Sequence, residues 1–139
     1  MKKRILGIDL GDVRTGIAVS DAMQMLAGGV GTITAYNDDR LLNEIEVHVK
    51  YYDPELIVIG YPINMDGSIG PRAQKIADFA KKLEERFSLP VKFVDERCTT
   101  MIAHSILNTT NTRGKKRKGV VDTLSAEIIL QSYLDSDRK

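Results

Sequence analysis

The first third of the chain consists of short apolar blocks that are separated by turn-forming residues. Blocks of β-branched and apolar residues predict strands, and they occur at residues 4–10, 17–20 and about 31–36. The link Gly11–Gly16 between the first two blocks is short and rich in turn-forming residues, so we expect these two strands to pair antiparallel.

Further along the chain, the apolar period changes to that of helices. Helical spacing predicts helices over 41–52, with Asn37 or Asp38 as the N-cap, and then over 76–87, 99–107 and 120–134. The continuous apolar run Leu56–Gly60 predicts a strand that is buried on both faces, and Val91–Val94 predicts another buried strand. Residues 61–72 contain two prolines and two glycines and predict a loop, and we expect the polar, basic stretch 108–118 to be mobile.

The resulting order, βββαβαβαα, predicts an α/β fold in which a mixed five-stranded sheet carries helices on both faces. A chain of 139 residues, 42% of them hydrophobic, fits one domain over 1–139. No apolar run approaches the roughly 20 residues that a membrane span needs. The apolar stretch near the N-terminus is interrupted by Asp9 and Asp12, unlike a signal peptide, so we expect a cytoplasmic protein without a membrane partner.

Carboxylates lie at the ends of two predicted strands. Asp9 stands within an apolar strand, where an unpaired buried carboxylate is costly. Either hydrogen bonds from Gly11–Gly16 satisfy it, or it points into a site at the end of the sheet. Asp95 and Glu96 follow the last strand, and since successive strand residues face opposite sides, only one of them is expected to face that site. We favour the longer Glu96 and keep Asp95 as the alternative.

Asp122 opens the predicted last helix, where a favourable interaction with the helix dipole would by itself explain it. The small residues Ser125 and Ala126, one turn later, would let this end of the helix approach the sheet. Asp9, Glu96 and Asp122 could then converge as catalytic residues and metal ligands. Carboxylates without nitrogen or sulfur ligands select Mg²⁺ or Mn²⁺, which can support hydrolysis of a phosphodiester.

These residues also form part of a wider pattern. Gly7-Ile8-Asp9-Leu10-Gly11, followed by Arg14-Thr15-Gly16-Ile17-Ala18, resembles the opening of the YqgF (RuvX) family. Further blocks of that family follow in order over nearly the whole chain: Gly60-Tyr61-Pro62, Asn64-Met65-Asp66-Gly67, Asp95-Glu96-Arg97 with Thr99-Thr100, Lys116-Arg117-Lys118, and Asp122 with Ala126 and Ile129-Leu130-Gln131.

The resemblance implies a ribonuclease-H-like domain that is related to Holliday junction resolvases. It also implies a nuclease for the 5′ end of the small-subunit ribosomal RNA precursor, with Asp9, Glu96 and Asp122 as its acids. One departure from the wider fold is that strand Leu56–Gly60 ends in Gly-Tyr-Pro, without the carboxylate that many such nucleases have there.

Basic residues are concentrated near the C-terminal end, although the net charge is only +1. From Arg97 to Val121 there are six Lys and Arg residues and no acid. The candidate contacts to nucleic acid phosphates are Arg14, Arg72, Arg97, Lys115, Lys116, Arg117 and Lys118. A solvated basic loop, and an ion pair of Arg97 with its acidic neighbours, are the structural alternatives. Without an aromatic cluster for stacking, we expect recognition of shape, in structured RNA or branched DNA.

Other functions are also consistent with the sequence. Gly7–Gly11 resembles the phosphate loop of actin-like ATPases and sugar kinases, but those proteins bind nucleotide between two domains, and the chain has no GxxxxGK[ST] loop. A non-catalytic RNA-binding module for ribosome assembly is a second alternative. A Holliday junction resolvase is a third, and it needs paired active sites, so both a monomer and a homodimer remain open. Cys98, the only cysteine, with His104 as its base, would make a thiol enzyme.

Overall fold

The computed structural model describes residues 3–62, 69–95 and 114–137, and it describes the side chains of all these residues except 114–120 and 137. The order of elements is β1 (Ile5–Asp9), β2 (Arg14–Ser20), β3 (Ala27–Thr34), α1 (Asp38–Tyr52), β4 (Leu56–Tyr61), α2 (Pro71–Phe87), β5 (Val91–Asp95) and α3 (Gly114–Asp137). The predicted helix over 99–107 lies outside the described residues.

The five strands form one mixed sheet in the order β3-β2-β1-β4-β5. β2 is antiparallel to both β1 and β3, whereas β4 is parallel to β1 and β5 is parallel to β4. The ends of β1, β4 and β5, at Asp9, Tyr61 and Asp95, therefore lie along the edge of the sheet at which β2 begins with Arg14. This edge is called the site edge below.

Helices cover both faces of the sheet. On one face, α1 and α2 enclose a core that contains Leu6, Ile8, Ile45, Ile57, Ile59, Phe79 and Leu83. On the other face, α3 encloses a core that contains Ile5, Ala18, Val58, Ala126, Ile129 and Leu130. Because side chains alternate along a strand, positions 5, 7 and 9 of β1 face α3, and positions 6 and 8 face α1 and α2.

Local interactions explain where α1 and α2 begin. The Asn37 side chain accepts a hydrogen bond of 2.8 Å from the Arg40 N–H, so Asn37 is the N-cap of α1, one of the two predicted candidates. Helix α2 begins at Pro71, within the stretch that the sequence predicted as loop. Proline suits the first turn of a helix because no intrahelical partner is lost there. The predicted loop was therefore too long by Pro71 and Arg72 at this end, and by Tyr61, which belongs to β4, at the other.

Other boundaries also differ from those predicted. The predicted burial of the last strand is wrong, since β5 is the outermost strand of the sheet and is partly exposed. β2 begins at Arg14 instead of Ile17, so only Gly11–Val13 form the turn before it. β3 begins at Ala27 instead of about Gly31 and includes three glycines, which have little strand propensity of their own. Helix α3 begins at Gly114, so residues 114–118 are helical instead of mobile, consistent with the good helix propensity of Lys and Arg. No helix within the described ranges is both long and apolar enough to cross a membrane.

Candidate active site

Two glycines let α3 lie directly on β1 and β2. A Cβ atom at Gly16 would come within 1.9 Å of the Asp122 carbonyl oxygen, and a Cβ atom at Gly7 would come within 2.8 Å of the Leu130 Cβ. Neither distance leaves room for a side chain, so glycine at both positions allows α3 to approach the strands this closely. The contact at Gly16 fixes the Asp122 backbone above the start of β2.

Asp9 lies on the same face of the sheet as this contact. It pairs with Gly16 across the antiparallel ladder between β1 and β2, and residues that are directly opposite in such a ladder present their side chains on one face. Since position 16 faces Asp122, Asp9 does so too. The structure thus places two of the three predicted acids, Asp9 and Asp122, on the same face of the sheet at the site edge.

Asp122 is in an unusual electrostatic environment for an aspartate. Its side chain is only 23% exposed, and its Oδ2 accepts a hydrogen bond of 3.0 Å from Arg14 Nε. Burial raises the pKa of Asp122 above its ordinary value, and the nearby Arg14 guanidinium opposes this shift only in part. The folded protein therefore disfavours the charge on Asp122.

The predicted interaction of Asp122 with the helix dipole is wrong, because α3 begins earlier than predicted. The helix begins at Gly114, two turns before Asp122, and the effect of the dipole is confined to the first turn. Asp122 is therefore held in the middle of a helix, over the sheet, and the dipole does not explain it.

An open hollow adjoins the ion pair at the site edge, and it is called the Arg14 hollow below. It is lined by Gly11, Asp12, Val13, Arg14 and Asp122. The Arg14 side chain is 46% exposed, so its guanidinium is accessible from solvent. The hollow thus presents one cation and a partly buried carboxylate to any molecule that approaches this edge.

Asp95, at the end of β5, lies on the opposite face of the sheet from Asp9 and Asp122. Phe93 contacts the Tyr61 ring on the face of α1 and α2, whereas the Lys92 ammonium lies over the Tyr133 ring of α3. By alternation, Asp95 shares the face of Phe93 and lies across the sheet from Asp9. Glu96 lies outside the described residues.

The donors present suit a hard cation, although they do not complete a site. Within 3–62, 69–95 and the described part of α3, no three His, Cys, Asp or Glu side chains are grouped closely enough to hold a metal ion. Asp9 and Asp122 supply carboxylate oxygens on one face, and oxygen ligands without nitrogen or sulfur are those of Mg²⁺ and Mn²⁺.

The predicted basic residues fall into three groups. Arg14 lines the site, as described above. Arg72 lies in the first turn of α2, and its Nη2 donates a hydrogen bond of 3.1 Å to the Leu10 carbonyl oxygen, next to the end of β1. Arg97 and the side chains of Lys115, Lys116, Arg117 and Lys118 lie outside the described residues.

Two features of the site were missed by the sequence analysis. The ion pair between Arg14 and Asp122 joins residues that are far apart in the chain, and no local sequence pattern predicts such a pairing. Ser125, one turn after Asp122, was considered only as a small residue. It is 1% exposed, and its Oγ has no hydrogen-bond partner among the residues that the structure describes.

The fold is that of Holliday junction resolvases. The structure is similar to Thermus thermophilus RuvC, solved in complex with a Holliday junction substrate, with a TM-score of 0.62 over 98% of this chain and 96% of that chain at 11% identity. It is also similar to the fowlpox virus resolvase, solved with Holliday junction DNA, with a TM-score of 0.56 over 98% of this chain and 99% of that chain at 13% identity. The predicted α/β, ribonuclease-H-like fold is confirmed.

The family follows from the sequence comparison. Residues 3–136 match the family model that is described as "RuvX: Holliday junction resolvase", and the chain belongs to this RuvX family. It is 45% identical over 135 residues to a protein of Geobacillus sp. (strain WCH70), and the alignment covers 96% of this chain and 98% of the relative. It is 45% identical over 137 residues to a protein of Caldanaerobacter subterraneus subsp. tengcongensis, and the alignment covers 97% of this chain and 98% of the relative.

Both relatives are named "Putative pre-16S rRNA nuclease". Together with the family, they confirm the resemblance to YqgF (RuvX) and the predicted class of enzyme, a nuclease that hydrolyses phosphodiester bonds.

Proposed function

We propose that this protein is a nuclease dependent on a divalent metal that cleaves structured RNA, with the 5′ end of the 16S ribosomal RNA precursor as its substrate. The observation that carries the proposal is the placement of Asp9 and Asp122 on one face of the sheet at the site edge. Active sites of sheets of this kind lie beyond strand ends.

In this proposal Asp9, Glu96 and Asp122 are the catalytic residues and hold Mg²⁺ or Mn²⁺. Glu96 is preferred over Asp95, since Asp95 lies across the sheet and the next position of a strand faces the opposite way. When bound, the cation supplies charge stabilisation at the phosphate and an activated water. The carboxylates fix its position, and the close contact at Gly16 keeps Asp122 from retreating from Asp9.

Cations that surround these acids bind the substrate backbone. Arg14 and Arg72 both lie at the site edge, and residues 114–118 form the first turn of α3, the helix that carries Asp122. Arg97 and the side chains of Lys115, Lys116, Arg117 and Lys118 extend this set. Phosphate contacts of this kind make binding sensitive to salt, so neutralising Lys115–Lys118 should weaken binding and reduce its salt dependence.

The choice of RNA rests on the names of relatives that are 40–45% identical over nearly the whole chain. The description of the RuvX family, and the fold shared with RuvC, favour a second candidate activity: the resolution of four-way DNA junctions. This activity would use the same acids, and it would require a homodimer with two active sites.

The test compares cleavage by the purified wild type and four variants, Asp9→Asn, Glu96→Gln, Asp122→Asn and Asp95→Asn. The substrates are a 16S precursor fragment with its 5′ flank and a four-way DNA junction, each in Mg²⁺, Mn²⁺ or EDTA. We expect the wild type and Asp95→Asn to cleave the precursor with either metal and not in EDTA. The other three variants should be inactive while keeping the wild-type circular dichroism spectrum.

Each alternative has its own outcome in this experiment. Cleavage of the junction but not of the precursor would identify the protein as a DNA resolvase. Activity that survives Asp9→Asn or Asp122→Asn would remove the metal site from the proposal. A wild type that binds the precursor and cleaves neither substrate would identify a non-catalytic RNA-binding module.

A further inference from the structure

Arg14 already binds one of the two carboxylate oxygens that Asp122 could offer to a metal ion. The guanidinium Nε lies 3.0 Å from Asp122 Oδ2, and a divalent ion bound to the same carboxylate would be placed within a few ångströms of it. Two cations at such a distance repel each other strongly in a site that is partly shielded from water. Arg14 and a metal ion would therefore compete for Asp122.

We propose that Arg14 is a positioning residue that pairs with Asp122 in the metal-free protein, and that metal binding releases its guanidinium into the Arg14 hollow to bind a phosphate of the nucleic acid. This inference rests on the proposed function, because it assumes that Asp122 is a metal ligand. It adds that binding of the metal and of the substrate are coupled through one side chain.

The surroundings of Arg14 allow such a movement. The Arg14 side chain is 46% exposed, although Asp122 is only 23% exposed, so water can solvate the Arg14 guanidinium when it leaves Asp122. The adjoining hollow is open and leaves room for the guanidinium. The backbone, by contrast, is held in place, since Arg14 pairs with Thr34 in the sheet and the next residue, Thr15, is buried. Only the side chain has to move.

A second cation at the site edge provides a matched control. Lys75 on α2 pairs with Asp12 at 3.3 Å, and Asp12 lies on the loop that precedes β2. Replacing Lys75 removes one positive charge from the same edge without affecting Asp122. Any effect of Arg14→Gln that exceeds that of Lys75→Gln is therefore due to the contact with Asp122 instead of the overall charge.

The first measurement is a calorimetric titration of Mn²⁺ alone into the wild type, Arg14→Gln, Lys75→Gln and Asp122→Asn. We expect Arg14→Gln to bind Mn²⁺ about three- to tenfold more tightly than the wild type, because a competitor and a repelling charge are both removed. Lys75→Gln should remain within about twofold of the wild type, since exposed charges at a distance are largely screened. Asp122→Asn should bind far more weakly.

The second measurement follows binding of a short RNA hairpin by stopped-flow anisotropy, read before cleavage, in EDTA and in saturating Mn²⁺. In EDTA, Arg14→Gln should bind no more weakly than Lys75→Gln, because Arg14 is then engaged with Asp122. In Mn²⁺ it should bind about fivefold more weakly than Lys75→Gln, consistent with the loss of one phosphate contact. A constitutive phosphate ligand would weaken binding in both conditions, and a purely structural arginine would weaken it in neither.

The outcomes separate this inference from the function on which it rests. If the wild type binds Mn²⁺ and Asp122→Asn does not, but Arg14→Gln binds it equally or more weakly, Arg14 does not compete and the release mechanism is wrong. If Asp122→Asn binds Mn²⁺ as the wild type does, Asp122 is not a metal ligand, and the proposed metal site fails together with the release of Arg14. Thermal unfolding of each variant establishes that it is folded.

Discussion

The two ends of the sheet each hold an aspartate, and the fold treats these two side chains in opposite ways. At the end away from the site edge, Asp21 lies in the turn between β2 and β3, and its carboxylate accepts hydrogen bonds from the N–H groups of Met25, at 2.7 Å, and Leu26, at 3.1 Å. These bonds lower the pKa of Asp21. At the site edge, burial raises the pKa of Asp122.

The polar groups around Asp21 are also well paired. The Ile5 N–H donates to Ser20 Oγ at 2.8 Å, and Arg4 Nη1 donates to the Ser20 carbonyl oxygen at 3.1 Å. Gln131 accepts a hydrogen bond from the Ala27 N–H. This end of the sheet is thus arranged for stability, whereas the site edge retains a charge that burial penalises. Acids that are kept at such a cost are typical of functional sites.

The largest effect of a single substitution on stability is expected at Gly16. In Gly16→Ala the added Cβ would meet the Asp122 carbonyl oxygen at 1.9 Å, so α3 must shift away from the sheet. Such overpacking costs about 1–3 kcal/mol, and the shift separates Asp122 from Asp9, so activity should fall by at least about tenfold.

Gly28→Ala is the matched control for this substitution, because its Cβ would meet only the Val19 carbonyl oxygen, at 3.9 Å. Thermal unfolding and the cleavage assay measure both variants. Equal stability and activity of the two would show that the close approach at Gly16 does not organise the site.

At the stabilised end, Asp21→Asn should lower the unfolding midpoint at neutral pH and leave cleavage unchanged. The folded-state pKa of Asp21 lies below its unfolded value, so its charge stabilises the fold above the unfolded pKa. This contribution is lost as the pH falls through the folded pKa. Unfolding midpoints of the two proteins should therefore converge in acid. A constant difference across pH would contradict this role of the charge.

Asp122→Asn should show the opposite dependence on pH in the metal-free protein. The folded-state pKa of Asp122 is raised above its unfolded value, so ionisation of this group destabilises the fold. The wild type should gain stability relative to Asp122→Asn as the pH falls from the folded pKa to the unfolded pKa. Unfolding in EDTA across this range measures the effect, and a trend of the same sign as for Asp21→Asn would refute it.

The smallest expected effect is a gain in stability at Ser125. A buried hydroxyl without a hydrogen-bond partner costs roughly 1 kcal/mol or more, and alanine also has the higher helix propensity. Ser125→Ala should therefore raise the unfolding midpoint by about 2–4 °C. A lower midpoint would mean that the hydroxyl makes a stabilising contact in solution.

Much of the fold could be predicted because burial leaves a local pattern. β4 is buried on both faces and appears as a continuous apolar run, and the helical spacing of Leu41, Leu42 and Ile45 located α1. The start of β3 could not be predicted, since Gly28 and Gly29 lack strand propensity. Glycine at position 29 is explained by the close packing of α3 on the sheet, because a Cβ atom there would lie 2.6 Å from Thr123 Cγ2.

Less of the candidate site could be predicted, for a related physical reason. Asp9 could be selected because a carboxylate within an apolar strand is costly and needs an explanation. The role of Asp122 was harder to see, since an acid in a predicted first helical turn already has a sufficient reason to be there. Its pairing with Arg14 depends on the way α3 crosses the sheet, and contacts between distant segments leave no periodic signal.

Diffraction from crystals soaked in Mn²⁺, recorded at a wavelength where manganese scatters anomalously, would test the metal site most directly. We expect an anomalous peak about 2.1 Å from carboxylate oxygens of both Asp9 and Asp122, with the Arg14 guanidinium turned away from Asp122. A protein that shows no peak between these two residues at saturating Mn²⁺, and in which Arg14 still pairs with Asp122, would contradict both the metal site and the mechanism built on it.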